Sequence, residues 1–296
     1  MAADEDTHRL RPTPLQFEQL TTSYRFDAEL ASLLTEFQYR ADGITLTATN
    51  DRPLPAATVV AHTAGLEAVF GGDNSLVFVC YDDRGYQMVN PVETTLITAL
   101  TQAINTSPST ARSDGGTTGP LGEGPDVPTT TSQSVPPTAK SDDAVPTVGV
   151  VTPHNAQRGR LEQFLSAQIT ANTVEQYQGG ERDIIVVSAT VTDPEFARRE
   201  ERFILNLRRL LVAISRSKLL TVVVCSTSLF EVAPQDSERL DDGPVWARLF
   251  TQAVGRDPQP AWTGPLAEFT GDKRTDHADV PVQVYPSEID TSGGER

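Results

Sequence analysis

Short apolar runs alternate along this chain with stretches whose apolar residues recur every three or four positions. Leu76–Tyr81, Val148–Thr152, Ile184–Thr190 and Leu220–Cys225 are largely apolar runs of the length expected for strands buried on both faces. Between them, Asp27–Tyr39 carries Leu30, Leu33, Leu34 and Phe37 at helical spacing. Pro91–Ile104 opens with a proline suited to a first helical turn and sets Leu96, Ile97, Leu100 and Ile104 on one face. His154–Ala167, with Leu161, Phe164 and Leu165, and the stretch Leu207–Ser217 read as further helices. Strands alternating with helices predict an α/β fold, a parallel sheet flanked by helices. There are no internal repeats.

The pattern stops at residues 106–146, where Thr, Ser, Pro, Gly and Asp crowd out anything to bury. That stretch is expected to be a disordered insertion, and the similar compositions of 1–14 and 256–296 predict loosely ordered tails, the second one acidic. The remainder, 15–255, reads as one interrupted domain, and 296 residues leave ample length for a packed core. Composition adds a sharper feature. The net charge is −16, and Lys140, Lys218 and Lys273 are the only lysines, so arginine supplies nearly all the positive charge. Excess acid with so little lysine predicts a halophilic protein, because in molar salt the Debye length shrinks to about 3 Å and self-repulsion is screened. Cys80 and Cys225 each end an apolar run and read as core residues, and the four scattered histidines form no ligand spacing, so no metal site is predicted. No apolar run approaches membrane-spanning length and no leader pattern opens the chain, so a cytoplasmic protein with no membrane partner is expected.

Two segments carry candidate chemistry. Thr173-Val174-Glu175-Gln176-Tyr177-Gln178-Gly179-Gly180-Glu181-Arg182-Asp183 precedes one apolar run, and Arg208-Arg209-Leu210-Leu211-Val212-Ala213-Ile214-Ser215-Arg216-Ser217-Lys218 precedes another. They resemble motifs V and VI of superfamily 1 helicases, in the branch of the nonsense-mediated-decay and Okazaki-fragment helicases. Ser23-Tyr24-Arg25 is similar to motif IV, with Ser23 in place of the usual amide, and Val148–Gln157 is similar to the family's V-G-V-I-T-P-Y-x-x-Q strand and helix. Asn90-Pro91-Val92-Glu93 resembles a helix start of the family and reads as structural. The resemblance spans about 15–105 and 147–255.

That resemblance implies the second RecA-like domain of a helicase, of the P-loop NTPase type but without the Walker A and Walker B domain. Such enzymes hold ATP with Mg²⁺ between two domains, and the second supplies cations to the transferring phosphoryl. It implies catalytic roles for Arg216 and Arg25 at the γ-phosphate, with a planar guanidinium bridging developing charge. It likewise implies cofactor contacts from Tyr24, Gln178, Gly179 and Glu181, Tyr24 stacking on the base and Glu181 reaching the ribose. No Gly-Lys pair occurs anywhere, and no apolar strand ends in Asp-Glu, so neither a phosphate loop nor a magnesium site is legible. The chain by itself is therefore expected to be inactive as an ATPase and to need a partner chain carrying those motifs. The family asparagine of motif VI is Leu211 here, a departure that bears on how Arg216 is held.

Single-stranded DNA or RNA is the implied macromolecular partner. Thr152, at a strand end before a helix, is a candidate backbone contact or equally a helix cap, and Thr173 lies where motif V approaches nucleic acid in the family. Seven cations fall within 198–218 against two acids, Glu200 and Glu201, an island in so acidic a chain. Two readings follow: the catalytic half of a helicase, or a non-catalytic module binding nucleic acid or protein on a relic helicase fold.

Overall fold

In a computed structural model the described residues are 21–50, 52–55, 58–104, 145–177, 180–235 and 243–289. The expected tail 1–14 and all of the 106–146 insertion but its last two residues lie outside these, as do Gln178 and Gly179. Strands β3 (Leu76–Tyr81), β4 (Val148–Thr152), β5 (Thr170–Thr173), β6 (Arg182–Ser188), β7 (Ser217–Ser226), β8 (Trp262–Pro265) and β9 (Pro281–Pro286) form one sheet in the order β5-β4-β6-β7-β3-β9-β8. The five strands from β5 to β3 run parallel, and β9 and β8 close one edge antiparallel. The mixed α/β class with a mostly parallel, helix-flanked sheet is the architecture the hydrophobic pattern predicts. A separate parallel pair, β1 (Thr22–Ser23) with β2 (Thr47–Ala48), brackets the first helix.

Successive side chains of a strand face opposite ways, and the core divides accordingly. Leu76, Phe78 and Cys80 join one cluster with α1 (Ala28–Leu34), α7 (Leu207–Ile214) and α8 (Val245–Val254). Val77, Val79 and Tyr81 join the other with α2 (Ala64–Phe70), α3 (Pro91–Gln102), α4 (Asn155–Leu161) and α9 (Leu266–Thr270). The short α5 (Pro194–Arg199) and α6 (Glu201–Ile204) lie between β6 and α7. Both cysteines are buried on facing positions of β3 and β7 as free thiols, with sulfurs 4.0 Å apart at thiol hydrogen-bond distance.

Helix starts follow cap chemistry: Asp27, Asn90 and Asn206 each accept a backbone N–H from three residues on, at 3.1, 3.1 and 3.2 Å. The helix expected over Asp27–Tyr39 becomes π-helical from Thr35 to Tyr39, where the Thr35 hydroxyl bonds the Ala31 carbonyl. The one expected over His154–Ala167 ends at Leu161, leaving Phe164 half exposed.

Over 256–289 the expected loose tail is overturned by β8 and β9, which complete the sheet, and by α9 between them, while 290–296 lie outside the described residues. Val282 and Val284 are fully buried against β3, and Phe269 sits so tightly on α2 that a Cβ at Gly65 would lie 2.6 Å from its ring. Six residues of period-two alternation set among Pro, Asp and Gly were too short to outweigh that composition.

Candidate functional site

Parallel strands give the sheet two rims. At the N-terminal rim begin β6, preceded by Glu181, and β7, preceded by Arg216 and carrying Lys218. At the C-terminal rim end β4 at Thr152 and β5 at Thr173. A seven-residue strand separates the rims by about 20 Å. The 173–183 segment therefore starts at one rim and finishes at the other, crossing β4 on the way. Tyr177, 3% exposed, lies along this crossing, its hydroxyl donating to the Thr170 carbonyl at 3.3 Å. β4 admits it because position 149 is glycine: a Cβ there would be 1.8 Å from the Tyr177 oxygen.

The N-terminal rim opens into a cleft of about 650 Å³ lined among others by Tyr24, Arg25, Arg52, Glu181, Leu211 and Lys218. Arg25 Nε donates to Glu181 Oε1 at 2.5 Å, and Lys218 Nζ lies 3.5 Å from Glu181 Oε2. Partial burial pushes the Glu181 carboxyl up, but the Arg25 hydrogen bond and charge, then Lys218, outweigh it and hold it below the usual carboxylate range. Arg216 is near enough that partial burial first, and the Arg25 charge second, lower its guanidinium pKa, opposed by Glu181. Its Nε is shielded from solvent and has no hydrogen-bond partner among the described residues. Tyr24 is 80% exposed, its ring open at the cleft mouth. Leu211 is buried where the resembled motif has an amide. Thus Tyr24, Arg25, Glu181 and Arg216 come together, while Gln178 and Gly179 fall outside the described residues.

Arg52 of the cleft and Asn50 behind it escaped sequence reasoning. Asn50 donates to the carbonyls of Arg25 and Lys218, both at 2.6 Å, and accepts from Arg52 Nε at 3.1 Å. Asn50-Asp51-Arg52-Pro53 reads as a turn, and nothing in its pattern points to a cleft.

The opposite rim is less open than its sequence implied. Thr152 is 1% exposed and its hydroxyl lies 3.0 Å from that of Thr190, so the candidate backbone contact faces inward. It is not the helix cap either, since His154 holds that position. The cause is strand parity together with a buried polar network that takes up the hydroxyl. Thr173 is also buried. From the arginine island, Arg209 pairs with Glu175 of the 173–183 segment, and its guanidinium stacks 4.1 Å over Phe203. Among the described residues no group of His, Cys, Asp and Glu side chains forms a metal cage.

This geometry has relatives. A family model for an AAA domain matches residues 7–228, about three quarters of the chain. The chain belongs to that AAA domain family. The AAA domain is also similar to the probable RNA helicase armi of Drosophila melanogaster, at 31% identity over 93 residues, 29% of this chain and 8% of the relative. It resembles the DNA polymerase alpha-associated DNA helicase A of Saccharomyces cerevisiae, at 34% identity over 82 residues, 26% of this chain and 12% of the relative. The AAA domain thus spans about a tenth of the length of these helicases. The family model and these two matches support a helicase-family domain.

Proposed function

We propose that this AAA domain is the second RecA-like half of a superfamily 1 helicase, of the nonsense-mediated-decay and Okazaki-fragment type. In this reading it completes an ATP–Mg²⁺ site whose phosphate loop and metal ligands come from a partner chain. The observation that carries it is the convergence of Arg25, Glu181 and Lys218, far apart in sequence, within hydrogen-bond or ion-pair distance at one cleft. The site suits a polyphosphate: Arg216 has a shielded, unpartnered Nε, Arg25 and Lys218 lean on a single carboxylate, and the open Tyr24 ring offers a face for a base. Arg25 and Arg216 stabilise the transferring phosphoryl, Tyr24 stacks on the base, Glu181 orients the ribose, and Gln178 and Gly179 are carried over from the resemblance as further cofactor contacts. When bound, Mg²⁺ would neutralise phosphate charge from the partner's side.

Single-stranded nucleic acid is the proposed track, DNA or RNA, a choice on which the two relatives' names divide. Thr173, at the end of β5 on the C-terminal rim, is the proposed contact there. Among the described residues no helix is long and apolar enough to cross a membrane, and the acidic, lysine-poor composition supports a salt-rich cytoplasm. One observation favours the non-catalytic module instead: Leu211 puts a buried aliphatic chain where the family amide would steady the arginine segment.

ATP hydrolysis decides between the two readings. The domain alone in molar KCl, with single-stranded DNA or RNA, is expected to be inactive, and adding a phosphate-loop partner restores turnover. Arg216→Ala in that pair should lower kcat by about 10³-fold or more, as loss of an arginine finger does. A pair that keeps its full rate with Arg216→Ala sinks the catalytic reading.

A further inference from the structure

The Arg25–Glu181–Lys218 cluster has a neighbour that belongs to none of the motifs quoted above. Asn50 is 8% exposed and sits between the two stretches that carry the cations. Its Nδ2 spends one hydrogen on the Arg25 carbonyl and one on the Lys218 carbonyl, each at 2.6 Å. Its Oδ1 accepts from Arg52 Nε at 3.1 Å. One amide therefore ties two chain segments 193 residues apart and orients a third cation. Arg52 lines the same cleft and is otherwise exposed, so burial does not explain its placement. In a chain of net charge −16, the described residues that line this cleft include Arg25, Arg52 and Lys218 against one carboxylate, Glu181. A guanidinium anchored through Nε keeps both terminal nitrogens for a bidentate contact, the geometry that fits a phosphate.

We propose that Arg52 is a further phosphate-binding residue of the cleft, and that Asn50 is the positioning residue that sets it in register with Arg25 and Lys218. The inference rests on the nucleotide reading above. Together the three cations bind a polyphosphate chain, and Asn50 makes them act as one unit.

Calorimetric titration with inorganic tripolyphosphate, at one fixed KCl concentration, tests this without base or ribose. The wild-type domain should bind saturably, and Arg52→Gln and Arg25→Gln should each weaken binding about tenfold, equivalent to about 1.4 kcal/mol. Asn50→Ala should weaken it at least as much, and the double variant Asn50→Ala/Arg52→Gln no further than Asn50→Ala alone, since Arg52 binds only as Asn50 positions it. Arg52→Gln changes an exposed side chain, so its melting temperature should match the wild type. Wild-type affinity in Arg52→Gln, beside loss in Arg25→Gln, overturns this inference and leaves the nucleotide reading standing. Strictly additive losses in the double variant overturn the role of Asn50. No saturable binding by the wild type, or no loss in either arginine variant, overturns both.

Discussion

Glu93 shows how much one residue can depend on where the chain puts it. It is fully buried and accepts from the Tyr81 hydroxyl at 2.9 Å, the Ser188 hydroxyl at 2.5 Å and the Thr190 N–H at 2.8 Å. Those bonds help hold Thr190 at φ 65°, a left-handed conformation costly for a β-branched residue. Burial raises the Glu93 carboxyl from 4.5 to about 7, and the donors only partly offset it. The folded state therefore takes up a proton that the unfolded state has released. Its stabilising share is full below 4.5 and is lost as pH rises through about 7, an effect of up to about 3 kcal/mol. Urea midpoints should fall between about pH 5 and pH 8 in the wild type, with most of that fall removed in Glu93→Gln. An equal fall in both would locate the dependence elsewhere. Gly149 makes a second prediction at this scale. Gly149→Ala forces its Cβ against the Tyr177 hydroxyl, so it should cost about 1–3 kcal/mol in urea unfolding. Tyr177→Phe should recover part of that loss.

Among the elements, the 173–183 crossover joins the two rims. Thr173 ends β5 at one, Glu181 precedes β6 at the other, and Glu175 links the crossover to α7 through Arg209. The β3, β4, α3 and α7 regions were legible because long apolar periodicity and cap residues agree there. The antiparallel edge was not, since β8 and β9 are short and their burial comes from partners distant in sequence. Removing residues after 255 should expose the β3 edge and leave Val77, Val79 and Tyr81 without their cover. The shortened chain is expected to aggregate or melt without a cooperative transition in calorimetry. A native-like transition would show that β9 is dispensable.

For the molecule as a whole, charge sets the working conditions. With net charge −16, raising KCl from about 0.1 M to 2 M should raise the melting temperature, as the Debye length contracts from about 10 Å to below 3 Å. A flat or falling melting curve would remove the case for adaptation to salt. Local pattern alone was enough for the α/β class and the parallel central strands, because periodicity is written along the chain, while the grouping of Tyr24, Arg25, Glu181 and Arg216 followed from the resemblance of their motifs to those of superfamily 1 helicases. Tertiary structure alone decided that Asn50 binds the backbones of Arg25 and Lys218, that Arg52 joins their cleft, that Thr152 turns inward and that residues 262–286 close the sheet. Each of those contacts joins positions that only the packed sheet brings within hydrogen-bonding reach, and such distances leave no period in the sequence.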